Sequence, residues 1–356
     1  MSDPAITVFG APGLGRARTA VIIPARNEAD SIAACLVSLA GQETDLPPAI
    51  CLCVNNTTDA TARIAADLAP RLNLSMLLIE TPIPLGGVGM ARRIGHRAIL
   101  GRCPVLRNLL STDADCRAAP HWLAAMEAAL VHAPAVLGRI EPDTDTGGAL
   151  SPAYLARARI EAAYLALSMA FERLLDPRGG KGIGLNTAGG ANLGLRTEIY
   201  ASIGGYRALR SNEDRDLVAR VIAAGYAPSR APGAVVAASM RSVGRAPGGM
   251  AAGIANRLAQ EECTLDSALA PLREMLSRHL FPPETSAPSA RMTTADAQRD
   301  MAALAACVSR LRRARPDTRR HLLHDMFVEI TLPVPSVAMH RAEMSGGLHH
   351  LRRDTS

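Results

Sequence analysis

The sequence predicts an α/β protein built on a mixed, mostly parallel sheet with helices on both faces, followed by a helical C-terminal extension. Two observations carry this. Through residue 240, short apolar, β-branched runs alternate with segments of helical periodicity, as crossover helices between parallel strands require. After Gly249 the apolar residues recur at helical spacing only. At 356 residues the chain can hold one large domain with an appendage. The expected divisions are a domain over 1–245, a helical extension over 246–343 and a disordered tail over 344–356.

Thr19 to Pro24 is the first strand, an apolar run leading into the polar loop Ala25-Arg26-Asn27-Glu28. Ile32, Cys35, Leu36 and Leu39 then recur on one helical face. The unit repeats. Ile50 to Val54 is a strand, Asn55 to Thr58 a polar turn, and Asp59 to Leu68 a helix that Thr58 or Asp59 can cap. Met76 to Ile79 and the helix Ala91 to Leu100 form a third unit, and Leu106 to Leu110 a fourth strand. Ala135 to Ile140 is a further strand. Pro152 to Leu175 is a long amphipathic helix, followed by a Gly-rich loop from Arg178 to Gly190 and the segment Ala191 to Leu195. Helices follow over Thr197 to Ile203 and Glu213 to Ala224, the second stopped by Gly225, a residue that tolerates the left-handed conformation at a helix end. Val235 to Ala238 closes the sheet. Helical spacing then runs through Ile254, Leu258, Leu265, Leu269, Leu272 and Met275, Phe281 to Thr294 reads as a linker or a surface loop, and helices are expected over Ala295 to Arg313 and Asp317 to Ile330.

Composition narrows the function classes. A formal charge of +6 favours anionic partners. Aromatic residues are only 3 % of the chain and do not interleave with a basic stripe, which argues against a nucleic-acid platform and for a phosphorylated small molecule. No stretch reaches the roughly 20 apolar residues of a bilayer span. The start, with Asp3 and Pro4, has no basic region followed by an apolar core, so the expected location is cytoplasmic with no transmembrane segment. Seven cysteines are scattered without a zinc or CxxC spacing. Gly10-Ala11-Pro12-Gly13-Leu14-Gly15 imitates a dinucleotide fingerprint but precedes a strand instead of opening a helix, and His321 and His324 lack the partners of a zinc site.

The chemistry concentrates at Asp113-Ala114-Asp115, two carboxylates at the exit of a buried strand. Such a pair suits Mg2+ or Mn2+, hard cations held by one or two carboxylates while substrate phosphates and water complete the shell. A strand end and helix cap would produce the same residues. Asn212-Glu213-Asp214 opens a helix farther on, where acidic residues also favour the helix dipole.

Taken in order, Pro24-Ala25-Arg26-Asn27-Glu28, Val54-Asn55-Asn56-Thr57-Thr58-Asp59-Ala60-Thr61, Gly89-Met90-Ala91-Arg92-Arg93-Ile94-Gly95, the Asp113/Asp115 pair, Ala188-Gly189-Gly190-Ala191-Asn192 and Glu213-Asp214-Arg215-Asp216-Leu217 resemble glycosyltransferase family 2 over roughly residues 18 to 240. The resemblance implies a GT-A, Rossmann-like fold and sugar transfer from a nucleoside-diphosphate sugar to an acceptor hydroxyl. Pro24, Arg26 and Glu28 match positions lining the nucleoside pocket. Asn55 replaces the usual aspartate facing the base, which leaves UDP and GDP donors open. Arg92 matches a donor-side arginine, whose planar guanidinium suits phosphate oxygens. Arg93 stands where asparagine is more usual. Asp113 is expected on ribose or metal, Asp115 on the metal, Asp214 as the general base of an inverting transfer and Glu213 orienting the acceptor. Lys181 in the Gly-rich loop and Arg241 or Arg245 are further donor-side candidates. The acceptor is unknown, and the extension is expected to shape the acceptor site or a homodimer contact. The alternatives are a retaining transferase of the same fold, a sugar-phosphate nucleotidyltransferase and a noncatalytic nucleotide-sugar binding module.

Overall fold

A computed structural model of the chain describes residues 4–143, 151–180, 182–241, 254, 255, 258, 263–281 and 291–331. Nine strands form one sheet. They are β1 (Ala5–Phe9), β2 (Thr19–Ala25), β3 (Ala49–Asn55), β4 (Met76–Thr81), β5 (Asn108–Ser111), β6 (Cys116–Ala118), β7 (Ala135–Asp143), β8 (Leu193–Arg196) and β9 (Ser229–Ser239), in the order β1-β4-β3-β2-β5-β8-β7-β9-β6. The pairings run β2, β3, β4, β5, β7 and β9 in one direction, with β1, β6 and β8 opposed. The expected mixed, mostly parallel sheet is therefore present.

The central strands are buried along their whole length because helices cover both faces. Side chains alternate along β2: Val21 and Ile23 enter one core with helices α2 (Ile32–Ala40), α3 (Thr61–Arg71) and α5 (Trp122–His132). Ala20 and Ile22 enter the opposite core with α4 (Gly87–Leu100), α7 (Thr197–Ser202) and α8 (Glu213–Ala223). α4 lies so close to the sheet that a Cβ on Gly95 would stand 2.8 Å from Ile22 Cγ2. A larger residue there would push the helix off the strands and displace the side chains it presents at its other end.

α6 (Pro152–Leu175) has the predicted boundaries, and its start shows why: the Ser151 hydroxyl accepts the Tyr154 N–H at 3.2 Å, and Pro152 occupies the first turn, where its missing N–H costs nothing. Tyr164 and Phe171 of α6 enter a third core with helices Leu272–Leu280, Thr294–Arg313 and Arg319–Thr331. No helix among the described residues is long and apolar enough to cross a membrane.

Five elements depart from expectation. β1, the helix α1 (Ala11–Leu14) within the Gly10–Gly15 segment, and β6 lie outside the sequence reading, since β1 is a mostly exposed edge strand, α1 is a single turn and β6 has only three residues. β9 begins earlier than read, at Ser229, and crosses a bulge facing Gly138 and Arg139. The segment containing Leu265 and Leu269 is not helical; Thr264 pairs with Thr293 in an isolated bridge, and the helix starts only after Pro271. Leu265 and Leu269 are buried through turns, which satisfy the same apolar spacing without a helix. Residues 282–290 of the expected linker and the whole expected tail from 344 lie outside the described residues.

Candidate active site

The parallel strands β2, β3 and β5 deliver their loops to one end of the sheet, where open α/β sheets bind ligands. Pro24 is buried in β2, paired with Cys53. Beyond it Arg26 is exposed, and Asn27 takes a left-handed φ of 54°, a conformation asparagine tolerates better than most residues. Its Oδ1 accepts the Thr58 N–H at 2.8 Å, tying the two loops together. Glu28 is buried, and its own N–H donates to Thr61 Oγ1 at 2.7 Å. Asn55 is turned toward β2, its Nδ2 donating to the Ala25 carbonyl at 3.1 Å.

Arg92, fully buried on α4, organises the opposite wall. Its Nε donates to Ser111 Oγ at 2.9 Å, Nη2 to Asp113 Oδ1 at 2.5 Å and Nη1 to Glu213 Oε1, while its guanidinium carbon lies 5.8 Å from the centre of the Tyr206 ring. Burial works against its charge, but Glu213 and Asp113 more than offset this and hold the guanidinium protonated. The carboxylates feel the same balance from the other side. Burial pushes Asp113 and Glu213 upward, and Arg92 resists. One further group, His96, is stacked on Tyr200 with ring centres 4.5 Å apart, and burial takes it down to about 3, so it is neutral packing.

Gly190 joins this wall to α8. Its N–H donates to Asp214 Oδ2 at 2.6 Å, while Asp214 Oδ1 accepts the Arg215 N–H at 2.7 Å. A Cβ on Gly190 would lie 2.3 Å from Arg92 Nη2, so only glycine lets Arg92 and Asp214 approach the same backbone position. The next residues are anchored by buried Asn192, whose Oδ1 accepts Trp122 Nε1 at 2.9 Å and whose Nδ2 donates to the Arg139 and Ala234 carbonyls, each at 2.9 Å. Arg215 extends the other way, donating to Asp266 Oδ2 at 2.7 Å and Ser267 Oγ at 2.8 Å, and so fastens the start of α8 to the C-terminal segment.

Asp115 and Arg241 complete the constellation. Arg241, just after β9, holds Glu28 by two hydrogen bonds and lies 3.0 Å from Asp115 Oδ2. Burial first, and then Asp113, raise Asp115 to about 6 against the pull of Arg241. Among the described residues, Asp113, Asp115 and Cys116 offer donor atoms all within 4.8 Å of one another. Burial pushes the Cys116 thiol far up, which leaves two carboxylates as the available ligands. Thr112 Oγ1, one residue away, is buried with no hydrogen-bond partner. Carboxylate oxygen without thiolate is a donor set for a hard cation such as Mg2+ or Mn2+.

The expected residues Arg92, Asp113, Glu213 and Asp214 thus meet around one guanidinium and one glycine, and Glu28, Asp115 and Arg241 around a second guanidinium. Arg93 instead faces outward and donates to the Tyr206 carbonyl at 3.2 Å. Lys181 and Arg245 lie outside the described residues. Ser111 and Tyr206 went unnoticed in the sequence, as a lone serine at a strand end and a lone tyrosine after Gly204-Gly205 carry no pattern.

Residues 20–192 match the family model described as Glycosyl transferase family 2. No curated protein matches the chain in sequence. Among solved structures, the mannosyltransferase PcManGT from Pyrobaculum calidifontis, in complex with GDP-Man and Mn2+, is similar with a TM-score of 0.49 and 16 % identity over 94 % of this chain and 81 % of that one. S. aureus TarS 1–349 in complex with UDP-GlcNAc gives 0.45 and 18 % over 75 % and 67 %, and its complex with UDP gives 0.46 and 18 % over 95 % and 94 %.

Proposed function

This chain carries a glycosyl transferase family 2 domain over residues 20–192, and from that premise we propose an inverting transfer of a sugar from a nucleoside-diphosphate sugar to an acceptor hydroxyl, with Asp214 as general base. The observation that carries this reading is the meeting at Gly190. Arg92, which binds Asp113, and Asp214 both reach this one residue, so a donor-side and an acceptor-side carboxylate belong to one wall.

In this reading the loops bearing Pro24, Arg26, Glu28 and Asn55 surround the nucleoside of UDP or GDP, and Lys181 adds a cation from the Gly-rich loop. Asp113 and Asp115 hold Mg2+ or Mn2+, which when bound neutralises charge growing on the departing diphosphate. Arg92 and Arg241 add positive charge to the same side. The acceptor oxygen attacks the anomeric carbon as the bond from that carbon to the diphosphate oxygen breaks. The diphosphate leaves with the bonding pair, and the acceptor proton passes to Asp214. A carboxylate offers about four lone-pair positions, and Gly190 and Arg215 occupy two on Asp214, which leaves room for that proton. The two N–H donors also fix where the base stands, and general-base help of this kind is typically worth about 10²- to 10⁴-fold. Glu213, bonded to Arg92, keeps the start of α8 against the donor wall. The bonds from Arg215 to Asp266 and Ser267 support an acceptor side shaped partly by the C-terminal extension over 246–343.

Thermal unfolding with UDP, GDP and Mn2+, singly and together, tests the donor half, because a ligand that binds only the folded state raises its melting temperature. Stabilisation by one nucleoside diphosphate that grows with Mn2+ is expected. Release of pyrophosphate from a nucleoside triphosphate would replace this reading with nucleotidyl transfer.

A further inference from the structure

Arg16, Arg18 and Arg107 line one open cleft of about 480 Å³ together with Pro104, Val105 and Leu106. The backbone brings them together. The N–H groups of Arg107 and Asn108 both donate to the Arg18 carbonyl, at 2.7 and 3.1 Å, where the chain enters β2 and β5 side by side. Arg16 follows a turn in which its N–H donates to the Gly13 carbonyl at 3.1 Å. All three side chains are exposed, and none has a hydrogen bond or an acidic partner among the described residues. Arg102 donates to the Ala98 carbonyl at the end of α4, and Glu127, which reaches the same end of the sheet, accepts the Thr19 hydroxyl at 2.5 Å.

Three like charges in one cleft repel one another, and a multiply charged anion would relieve that repulsion. Guanidinium groups bind phosphate oxygens bidentately. The cleft is also remote from the candidate active site. It opens where β2 begins, whereas Glu28 lies past its far end, and seven residues of strand span roughly 20 Å. We propose that this cleft is a second binding site, for a ligand carrying two or more phosphate charges, independent of the donor site.

The test uses the full chain, inorganic pyrophosphate with a chelator to keep divalent cations away from Asp115, and vesicles of phosphatidylglycerol or phosphatidylcholine. The double variant Arg18→Gln, Arg107→Gln is expected to retain the wild-type melting temperature. It should bind pyrophosphate at least about tenfold more weakly, the loss of one to two charge-assisted hydrogen bonds. Arg241→Gln should leave that binding within about twofold. Binding to phosphatidylglycerol vesicles alone, whose headgroups each carry one phosphate charge, would overturn the proposal of a multiply charged ligand. Should the double variant unfold, Arg16→Gln reads the same cleft. Binding of neither probe, or binding that the arginine substitutions leave unchanged, overturns the proposal.

Discussion

Arg241 and Glu28 are joined by two parallel hydrogen bonds, Nη1 to Oε2 at 2.7 Å and Nη2 to Oε1 at 2.6 Å, and the same Nη2 reaches Asp115 at 3.0 Å. The end of β9 thereby supplies positive charge to two carboxylates that the loops after β2 and β5 bring together. Ser31 Oγ adds a hydrogen bond to Glu28 at 2.6 Å.

Removing that guanidinium takes positive charge away from both Glu28 and Asp115. Breaking a fully buried pair costs about 3–5 kcal/mol, and the exposed quarter of the Arg241 side chain lowers the expectation for Arg241→Ala to about 2 kcal/mol. Mn2+ should then raise the melting temperature more in the variant than in the wild type, because the ion replaces charge that Asp115 has lost. Denaturant titration and thermal unfolding measure both. A neutral substitution with an unchanged Mn2+ response would show that Arg241 does not balance this site.

Arg92 poses the same problem with deeper burial. Arg92→Met should cost about 3–5 kcal/mol at pH 7, since buried Glu213 would lose its charge partner and Asp113 its nearest one. Arg92→Lys keeps a charge but cannot serve Ser111, Asp113 and Glu213 from one planar group, so its loss should fall between wild type and the methionine variant. Equal stability of all three proteins in denaturant would contradict the network.

Asp115 predicts a dependence on pH. Its native value of about 6 lies above the ordinary aspartate value of 3.8, so between these the folded state binds more protons than the unfolded chain, and stability falls as pH rises. Below about pH 4 both states are protonated and the penalty vanishes; above about pH 6 it is complete. At 1.36 kcal/mol per unit the full penalty is at most about 3 kcal/mol, less for a side chain that is a fifth exposed. Asp115→Asn should therefore improve its stability relative to wild type by about 1–3 kcal/mol on going from pH 4 to pH 7.5 without divalent ions. A difference between the two proteins that does not change with pH would refute the assignment.

The central fold was legible because β2, β3 and β4 are buried on both faces and so read as continuous apolar runs between helical patterns. β1 was missed for the opposite reason: its exposed edge gives Ala5 to Phe9 no buried face to announce. β9 was shortened because Pro232 and Gly233 interrupt it, and only the bulge opposite Gly138 lets the pairing continue. At the site, Asp113, Asp115, Glu213 and Asp214 stood out as acidic groups at the ends of apolar segments. What their partners would be was not written locally. The bond from Arg241 to Glu28 spans 213 positions, and the use of Ser111 by Arg92 depends on how closely α4 approaches β5. Gly190 was visible as one glycine in a rich segment; its particular role follows from Arg92 lying where its Cβ would be.

The most direct test of the proposed chemistry separates donor binding from transfer in Asp214→Asn, measured with Mn2+ and the donor that the thermal screen identifies. The amide oxygen can still accept the Gly190 N–H, giving up the bond from the Arg215 N–H, but the side chain cannot take the acceptor proton. Donor affinity within about threefold of wild type and transfer slowed about 10²- to 10⁴-fold are expected. Transfer at the wild-type rate by a folded, donor-binding Asp214→Asn protein would contradict the account.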